Sequence, residues 1–500
     1  MKLKNEGSFF FAFLFFITAA LFIIYCPTFN HVSYFDGKQL DYLFERKDLS
    51  SFKEAWRFTD FSLVTQHGKG DEALYRPLLF LWIAALVRFF PYHYIAWNLI
   101  QFTLHLSATY FLFLLLRALN KGIIAYGAVL FFAFLAINLH IIENVHLGGY
   151  IIAYNLFLIA LLLTRKIISP AASGRTDRDL YALAFVIGVA VFFYEVMLAA
   201  ALVIFIFILV QRHRQKAPLS IKAKILFLLP VLLYLIAYLN HIHAAPRLDY
   251  APRSSGATYC LTTAENFLGL IPCVLGTFRQ RIHEIFLFNP MELIPYFKWR
   301  ILIPSLLIFL FIKESLTWTH LKKKLLWLSM LAGILLVYLL ISCFGRGENT
   351  SFYYCYFFAL VLTLLFYSFF DWTRLSGFKK SILLLIFAIF TCYQSGMILS
   401  NIPVARDKPR ENYYSFLSRF IEQHKNEPDF SFMIQNPDPE SDPPTPFRRG
   451  YEDETNAPLD IQNPSQIIYS KFYRQERPKY SLIWDPKALL FTLSSKNEPS

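Results

Sequence analysis

The sequence predicts an all-α polytopic membrane protein with a small extramembrane C-terminal region of α+β or irregular character. Three observations predict the membrane part. Hydrophobic residues make up 56% of the chain and charged residues only 17%, with a mean hydropathy of +0.42, whereas a soluble domain carries about 25% charged residues. Apolar runs recur through residues 1–400, many of them near the roughly 20 residues that a bilayer core demands. The basic excess, a formal net charge of +13, lies largely in short breaks between those runs, where cytoplasmic loops concentrate Lys and Arg. Topogenic charge accounts for the imbalance, so nucleic acid is not among the expected partners.

The first run, Phe9 to Cys26, follows Lys2 and Lys4. It is longer than the apolar core of a signal peptide and no small-residue cleavage site follows, so it reads as a retained first span with a cytoplasmic N-terminus. An outer loop over 27–94 comes next. It holds Tyr34-Phe35-Asp36-Gly37, then Tyr75-Arg76-Pro77-Leu78 and an apolar stretch, Pro77–Phe90. At 1.5 Å per residue that stretch is short for a core of about 30 Å. It suits a short span or a helix in the outer interface, and charge parity favours the second.

Arg117 and Lys121 flank the break between Ile95–Leu116 and Ile123–Ile142, which the parity makes two spans joined inside. His140-Ile141-Ile142-Glu143-Asn144-Val145-His146 then lies outside. Leu147–Leu163 returns to Arg165, Lys166, Arg175 and Arg178. Leu180–Val210 is interrupted by Glu195 and has basic clusters on both flanks, ending in Arg212, Arg214 and Lys216. Two cytoplasmic flanks require a hairpin of two short spans with Glu195 at its outer apex. Ile225–Leu239 leads to an outer loop over 241–300. Ile301–Ile312 brings the chain back to Lys322-Lys323-Lys324. Leu325–Cys343, Phe352–Phe370 and Ile382–Leu399 complete about eleven spans, with the C-terminus outside. Residues 401–500 are polar and Pro-rich and read as an external domain. Arg410–Gln423 suits a helix there; Phe430–Ile434, Ser465–Tyr469 and Ala488–Leu493 suit strands or short helices.

Six cysteines show no CxxC and no Cys/His metal spacing. Cys26, Cys343, Cys355 and Cys392 lie in or beside apolar runs and read as packing residues. Cys260 and Cys273 share one loop and could form a disulfide if that loop faces an oxidising compartment.

This topology gathers Asp36, Arg76, Glu143, His146, Glu195, Arg346 and Glu348 on the outer side. Ionisable groups at membrane depth are costly and normally face a cavity and a partner, so acids are expected to pair with Arg76 and Arg346. Asn98 and His105, seven positions apart, share one helix face. Plainer roles remain open: a helix cap for Asp36, an interfacial anchor for Arg76, hydrogen bonding for the histidines.

The order of these motifs resembles the GT-C superfamily of glycosyltransferases, closest to the protein O-mannosyltransferase-like and TPR-bearing members, over roughly Phe9 to Val210. The matching stretches are Phe35-Asp36-Gly37, Tyr75-Arg76-Pro77-Leu78, Asn98 with His105, His140-Ile141-Ile142-Glu143-Asn144-Val145 and Tyr194-Glu195. Gly37 stands where the family has a second acid, Ile141 where it has Pro, and Tyr194 where it has Lys.

The resemblance implies an inverting transfer of sugar from a polyprenyl-phosphate donor to an acceptor hydroxyl on a glycan, lipid or protein, at the non-cytoplasmic face. Asp36 would be the general base, and Arg76 or Arg346 would bind the donor phosphate. Glu143, Glu195, His105 and Asn98 would support and orient. Single, separated acids with no DxD among them favour no metal and no other cofactor, with a divalent metal bound with help from Glu143 and Glu195 as the alternative. The membrane would be a bacterial inner membrane, or the ER in a eukaryote. Two other classes fit: a transporter or flippase of lipid-linked saccharides, and an assembly subunit with a degenerate GT-C fold, which the glycine at 37 favours.

Overall fold

The structure is a computed structural model. It describes residues 2–29, 76–90, 94–120, 122–143, 147–169, 176–244, 274–282, 315, 317–346, 353–401, 416, 420, 423–424, 426–429, 431–435, 479–485 and 490–494. Among these the chain is mostly helical. Its helices are α1 (Lys2–Tyr25), α2 (Pro77–Phe89), α3 (Tyr94–Leu119), α4 (Ile124–Ala133), α5 (Ile137–Glu143), α6 (Gly148–Ile167), α7 (Thr176–Phe193), α8 (Val196–Arg214), α9 (Ile221–Ala244), α10 (Trp318–Arg346), α11 (Tyr353–Phe369) and α12 (Gly377–Asn401). A further helix covers residues 274–282. Seven helices among the described residues are long and apolar enough to cross a membrane, and Ile124–Ala133 and Cys355–Phe369 are shorter apolar helices.

The chain divides into two compact units. The first comprises Met1–Cys26, Glu72–Trp82 and Leu99–Leu399. Its centre is α6, whose span is 61% buried, while the spans in α1, α9 and α12 are 22% buried and form the rim. Many exposed side chains on those rim helices are large and apolar, among them Phe11, Phe15, Leu229, Leu233, Leu385 and Ile389. That is the surface a lipid environment accepts.

Side-chain contacts set the helix directions. Tyr150 near the start of α6 meets Tyr194 just past α7, and Lys166 near the end of α6 reaches Asp179 in the first turn of α7 at 2.6 Å. These two helices are therefore antiparallel. Gln215, just past α8, donates to the Ile168 carbonyl just past α6 at 2.7 Å. α8 thus runs alongside α6 in the same sense, and α7–α8 is a hairpin turning at Tyr194-Glu195. Gly188 lets α9 approach α7 closely: a methyl there would sit 2.7 Å from the Pro230 ring.

The expected single span over Ile123–Ile142 is corrected by the structure. It is split into α4 and α5 at Phe134-Leu135-Ala136, without a proline or glycine at the break. Buried side chains from three helices satisfy the backbone groups freed there. His105 on α3 meets the Ala133 carbonyl at 3.1 Å, Asn138 donates to the Phe132 carbonyl at 2.6 Å, and Ala136 N–H donates to Gln394 Oε1 on α12 at 2.9 Å. A helix interrupted in an apolar setting persists only with such partners.

The two exposed cysteines, Cys26 and Cys392, depart from the packing role expected of them, whereas Cys355 is buried. A cysteine beside an apolar run packs only if its own face of the helix has a neighbour, and α12 is a rim helix. The spans expected at Ile301–Ile312 and the Cys260–Cys273 pair lie outside the described residues.

The second unit comprises Pro27–Asp71, Ile83–Asn98 and Ser400–Ser500. It holds a three-stranded sheet in the order β1 (Phe432–Gln435), β2 (Tyr480–Asp485), β3 (Leu490–Ser494). β1 pairs β2 in parallel, with Phe432 opposite Tyr480, and β2 pairs β3 antiparallel, with Leu482 opposite Leu493. The expected elements at Phe430–Ile434 and Ala488–Leu493 coincide with β1 and β3, while Ser465–Tyr469 and most of Arg410–Gln423 lie outside the described residues. β2 was not anticipated, although Tyr480, Leu482 and Trp484 alternate with Ser481, Ile483 and Asp485. Glu427 ties the sheet to the turn before it. Its carboxylate accepts from Lys479 Nζ and Tyr480 Oη, each at 2.8 Å, and lies 2.5 Å from His424 Nδ1. The hydrogen bonds from Lys479, His424 and Tyr480 lower its pKa to about 2.

Candidate functional site

Arg76 is the residue before the proline that opens α2, so its backbone is steered out of the helix. Its side chain enters the first unit and is 4% exposed, while Glu195, at the hairpin apex, keeps 30%. The two meet as a bidentate pair. Arg76 Nε donates to Glu195 Oε2 at 2.5 Å, and Nη2 donates to Oε1. Nη1 donates to the Tyr150 hydroxyl. The guanidinium carbon lies 5.2 Å from the Tyr150 ring centre and 5.1 Å from that of Tyr194, within the range of a cation–π attraction. The two rings meet edge to face at 4.7 Å. Charge, hydrogen bonds and aromatic faces together hold the guanidinium plane.

Local structure explains why these residues converge. Glu195 is the N-cap of α8 but makes no side-chain cap hydrogen bond, so its carboxylate is turned to Arg76 instead. Gly148-Gly149 opens α6. A methyl on Gly149 would run into Leu79 of α2, and one on Gly148 would sit 2.7 Å from Gln101 Oε1 and 2.8 Å from Trp82 Nε1. Two residues without side chains thus let α2 reach α6, and this places Arg76 beside Tyr150.

The opposite end of the first unit carries the basic residues. Arg165, Lys166, Arg212, His213 and Arg214 end α6 and α8. His320 near the start of α10 meets the Ser368 carbonyl at 3.2 Å, so α10 begins where α11 finishes. Asp371 lies in this region, flanked by Arg374 and His320. Partial burial pushes the Asp371 carboxyl up, but hydrogen bonds from Thr373 and the charges of His320 and Arg374 outweigh it and hold the pKa below its usual value.

Asn98 and His105, expected on one face toward the site, are both engaged in structural hydrogen bonds. Asn98 Nδ2 donates to the carbonyls of Thr28 and Phe29 at 3.0 and 3.1 Å. His105 is 0% exposed and bridges Ala133 O and the Tyr356 hydroxyl, the latter at 2.9 Å. A carbonyl only accepts, so Nε2 carries the proton and Nδ1 accepts from Tyr356. Glu143 ends α5 and Arg346 ends α10; the side chains of both lie outside the described residues, as do Asp36, His146 and Glu348.

Three residues were not anticipated. Tyr150 and Tyr194 clamp the arginine, and their only sequence signal is adjacency to Gly148-Gly149 and to Glu195. Arg281, in the helix over 274–282, is fully buried and donates through Nη1 to Cys355 Sγ at 3.3 Å. In the sequence it stands among Arg279, Gln280, His283 and Glu284, so nothing local marked it as the buried one. Among the described residues no three His, Cys, Asp or Glu side chains gather as a metal site would require.

Searches with family models and against curated proteins return no match to the chain.

Proposed function

We propose that this protein is an integral-membrane glycosyltransferase of GT-C type. It moves a sugar from a polyprenyl-phosphate donor to an acceptor hydroxyl on the non-cytoplasmic face of a bacterial inner membrane, with inversion. Asp36 is the general base in this reading: it takes the proton of the acceptor hydroxyl as that oxygen attacks the anomeric carbon, and the lipid phosphate leaves. The bundle has about eleven spans, an N-terminus inside and a C-terminal domain outside.

The observation that carries the reading is the Arg76–Glu195 pair. It joins two of the motifs on which the family resemblance rests, 119 positions apart in the chain. It also lies at the end of the unit opposite the basic helix ends, and the positive-inside rule makes this a support for a non-cytoplasmic site. Buried ionisable pairs in such bundles are expensive and mark functional sites by default.

The test is transfer of labelled sugar from polyprenyl-phosphate mannose or glucose by the purified full-length protein in nanodiscs, with Asp36→Asn alongside. Transfer by the wild type and its loss in the variant supports the reading. Undiminished transfer in the variant removes Asp36 from the mechanism.

The break between α4 and α5 favours a second reading, a transporter or flippase of lipid-linked saccharides, because discontinuous helices commonly build transporter sites. Movement of labelled lipid-linked sugar across a proteoliposome membrane without any transfer selects it.

A further inference from the structure

We propose that Glu195, rather than Arg76, is the group of this pair that meets the donor, and that it accepts hydrogen bonds from sugar hydroxyls while Arg76 acts as its positioning residue. The inference rests on the glycosyl-transfer reading and changes the part each residue plays in it. By resemblance the arginine binds phosphate. In the structure the guanidinium is 4% exposed and its Nε, Nη1 and Nη2 are all directed at Glu195 and Tyr150. The member that faces outward is the carboxylate, at 30% exposure.

The chemistry follows from the acceptor count. An ionised carboxylate offers about four acceptor positions and no donor. The guanidinium fork takes one position on each oxygen, which leaves about two turned away from the arginine. Two acceptors side by side on a rigid plane suit a vicinal pair of hydroxyls, as a pyranose presents. The ion pair is also neutral as a whole, so it has little net attraction for a phosphate. Arg76 fixes the plane of the carboxylate, and Tyr150 and Tyr194 fix the guanidinium in turn. A ligand arriving at Glu195 therefore meets an acceptor that needs no reorganisation.

The experiment measures binding of two probes to the full-length protein in nanodiscs: polyprenyl-phosphate mannose (with the glucose form in parallel) and bare polyprenyl phosphate. The wild type is expected to prefer a sugar-bearing lipid. Glu195→Gln is expected to weaken that lipid about 10- to 100-fold, the range of charge-assisted hydrogen bonds, while leaving bare polyprenyl phosphate unchanged. Arg76→Lys keeps the charge but not the fork and is expected to lose part of the same preference. Removing one partner of a buried pair can unfold the protein, so the double variant Arg76→Met with Glu195→Gln is measured too; it is expected to stay folded and to have lost the preference. Equal weakening of both lipids by Arg76→Lys makes the arginine a phosphate ligand and overturns the inference. Retained sugar preference in Glu195→Gln and in the double variant overturns it as well, with the glycosyl-transfer reading intact. A wild type that binds neither sugar lipid better than bare polyprenyl phosphate overturns both.

Discussion

Arg76 Nε donates to Glu195 Oε2 at 2.5 Å, yet the arginine is 4% exposed and the glutamate 30%. The pair is lopsided: its cation is inside and its anion is at the margin. Removing the glutamate strands a buried guanidinium, whereas removing both charges leaves no unpaired charge and costs only the donor to the Tyr150 hydroxyl.

Glu195→Ala is therefore expected to destabilise the first unit by about 2–4 kcal/mol, somewhat below the cost of breaking a fully buried pair because the carboxylate keeps some hydration. The Arg76→Met, Glu195→Gln double variant is expected to fall closer to the wild type than the sum of the single changes. Thermal unfolding in detergent, read as a double-mutant cycle, checks this; strictly additive losses contradict it.

Gly149 is the point where α2 lies against α6, and a side chain there would meet Leu79. Gly149→Ala is expected to cost about 1–3 kcal/mol through overpacking, and to shift Arg76 away from Tyr150. A lowered melting temperature with quicker hydrogen exchange at residues 147–152 is the expected result. Leu79→Ala introduced together with Gly149→Ala is expected to recover part of the loss.

His105 bridges Ala133 O and the Tyr356 hydroxyl in a buried position. Replacing it by Phe keeps the volume but leaves a carbonyl and a hydroxyl without that partner, a loss of about 1–3 kcal/mol for each unsatisfied group. Gln394→Leu, which takes the acceptor from Ala136 N–H, is expected to cost less, about 1–2 kcal/mol. Exchange protection at residues 133–138 reports both, because the break between α4 and α5 is the segment that each side chain completes.

In the second unit the Glu427 carboxyl is lowered from 4.5 to about 2, chiefly by the hydrogen bond from Lys479. A depressed carboxyl pKa contributes stability that is complete above the ordinary value and is lost as pH falls through the folded one. Protection of residues 479–485 in the full chain is therefore expected to hold at neutral pH, to decline below about 4.5, and to be lost by about 2. Glu427→Gln is expected to flatten that decline; an unchanged pH profile in the variant rules out this carboxyl as its source.

Hydropathy is local and nearly additive, so much of the helical framework was legible before any folding was considered. Apolar runs with basic ends marked the helices from α6 to α9, and the argument from two basic flanks placed a turn at Glu195, where α7 gives way to α8. Other features left no local trace. Phe134-Leu135-Ala136 reads like any other stretch of an apolar helix, and it breaks because His105, Asn138 and Gln394 are there to receive its backbone. Asn98 and His105 looked like site residues because polar side chains in apolar helices invite that reading. Their partners are main-chain carbonyls from other segments, and no spacing along α3 could have named them.

The sequence by itself determined that this is a helical membrane chain, where most of its long apolar helices lie, and that an acid stands at the turn of a hairpin. Those conclusions follow from the cost of exposing backbone and charge to an apolar medium, a cost each segment meets on its own. Only the tertiary structure decided that this acid belongs to Arg76, that two tyrosines hold the arginine, and that the carboxylate rather than the guanidinium faces outward. Such a choice depends on which helices touch and on where a glycine pair lets them touch closely, and contact between segments 119 positions apart is a property of packing, which no stretch of sequence carries alone.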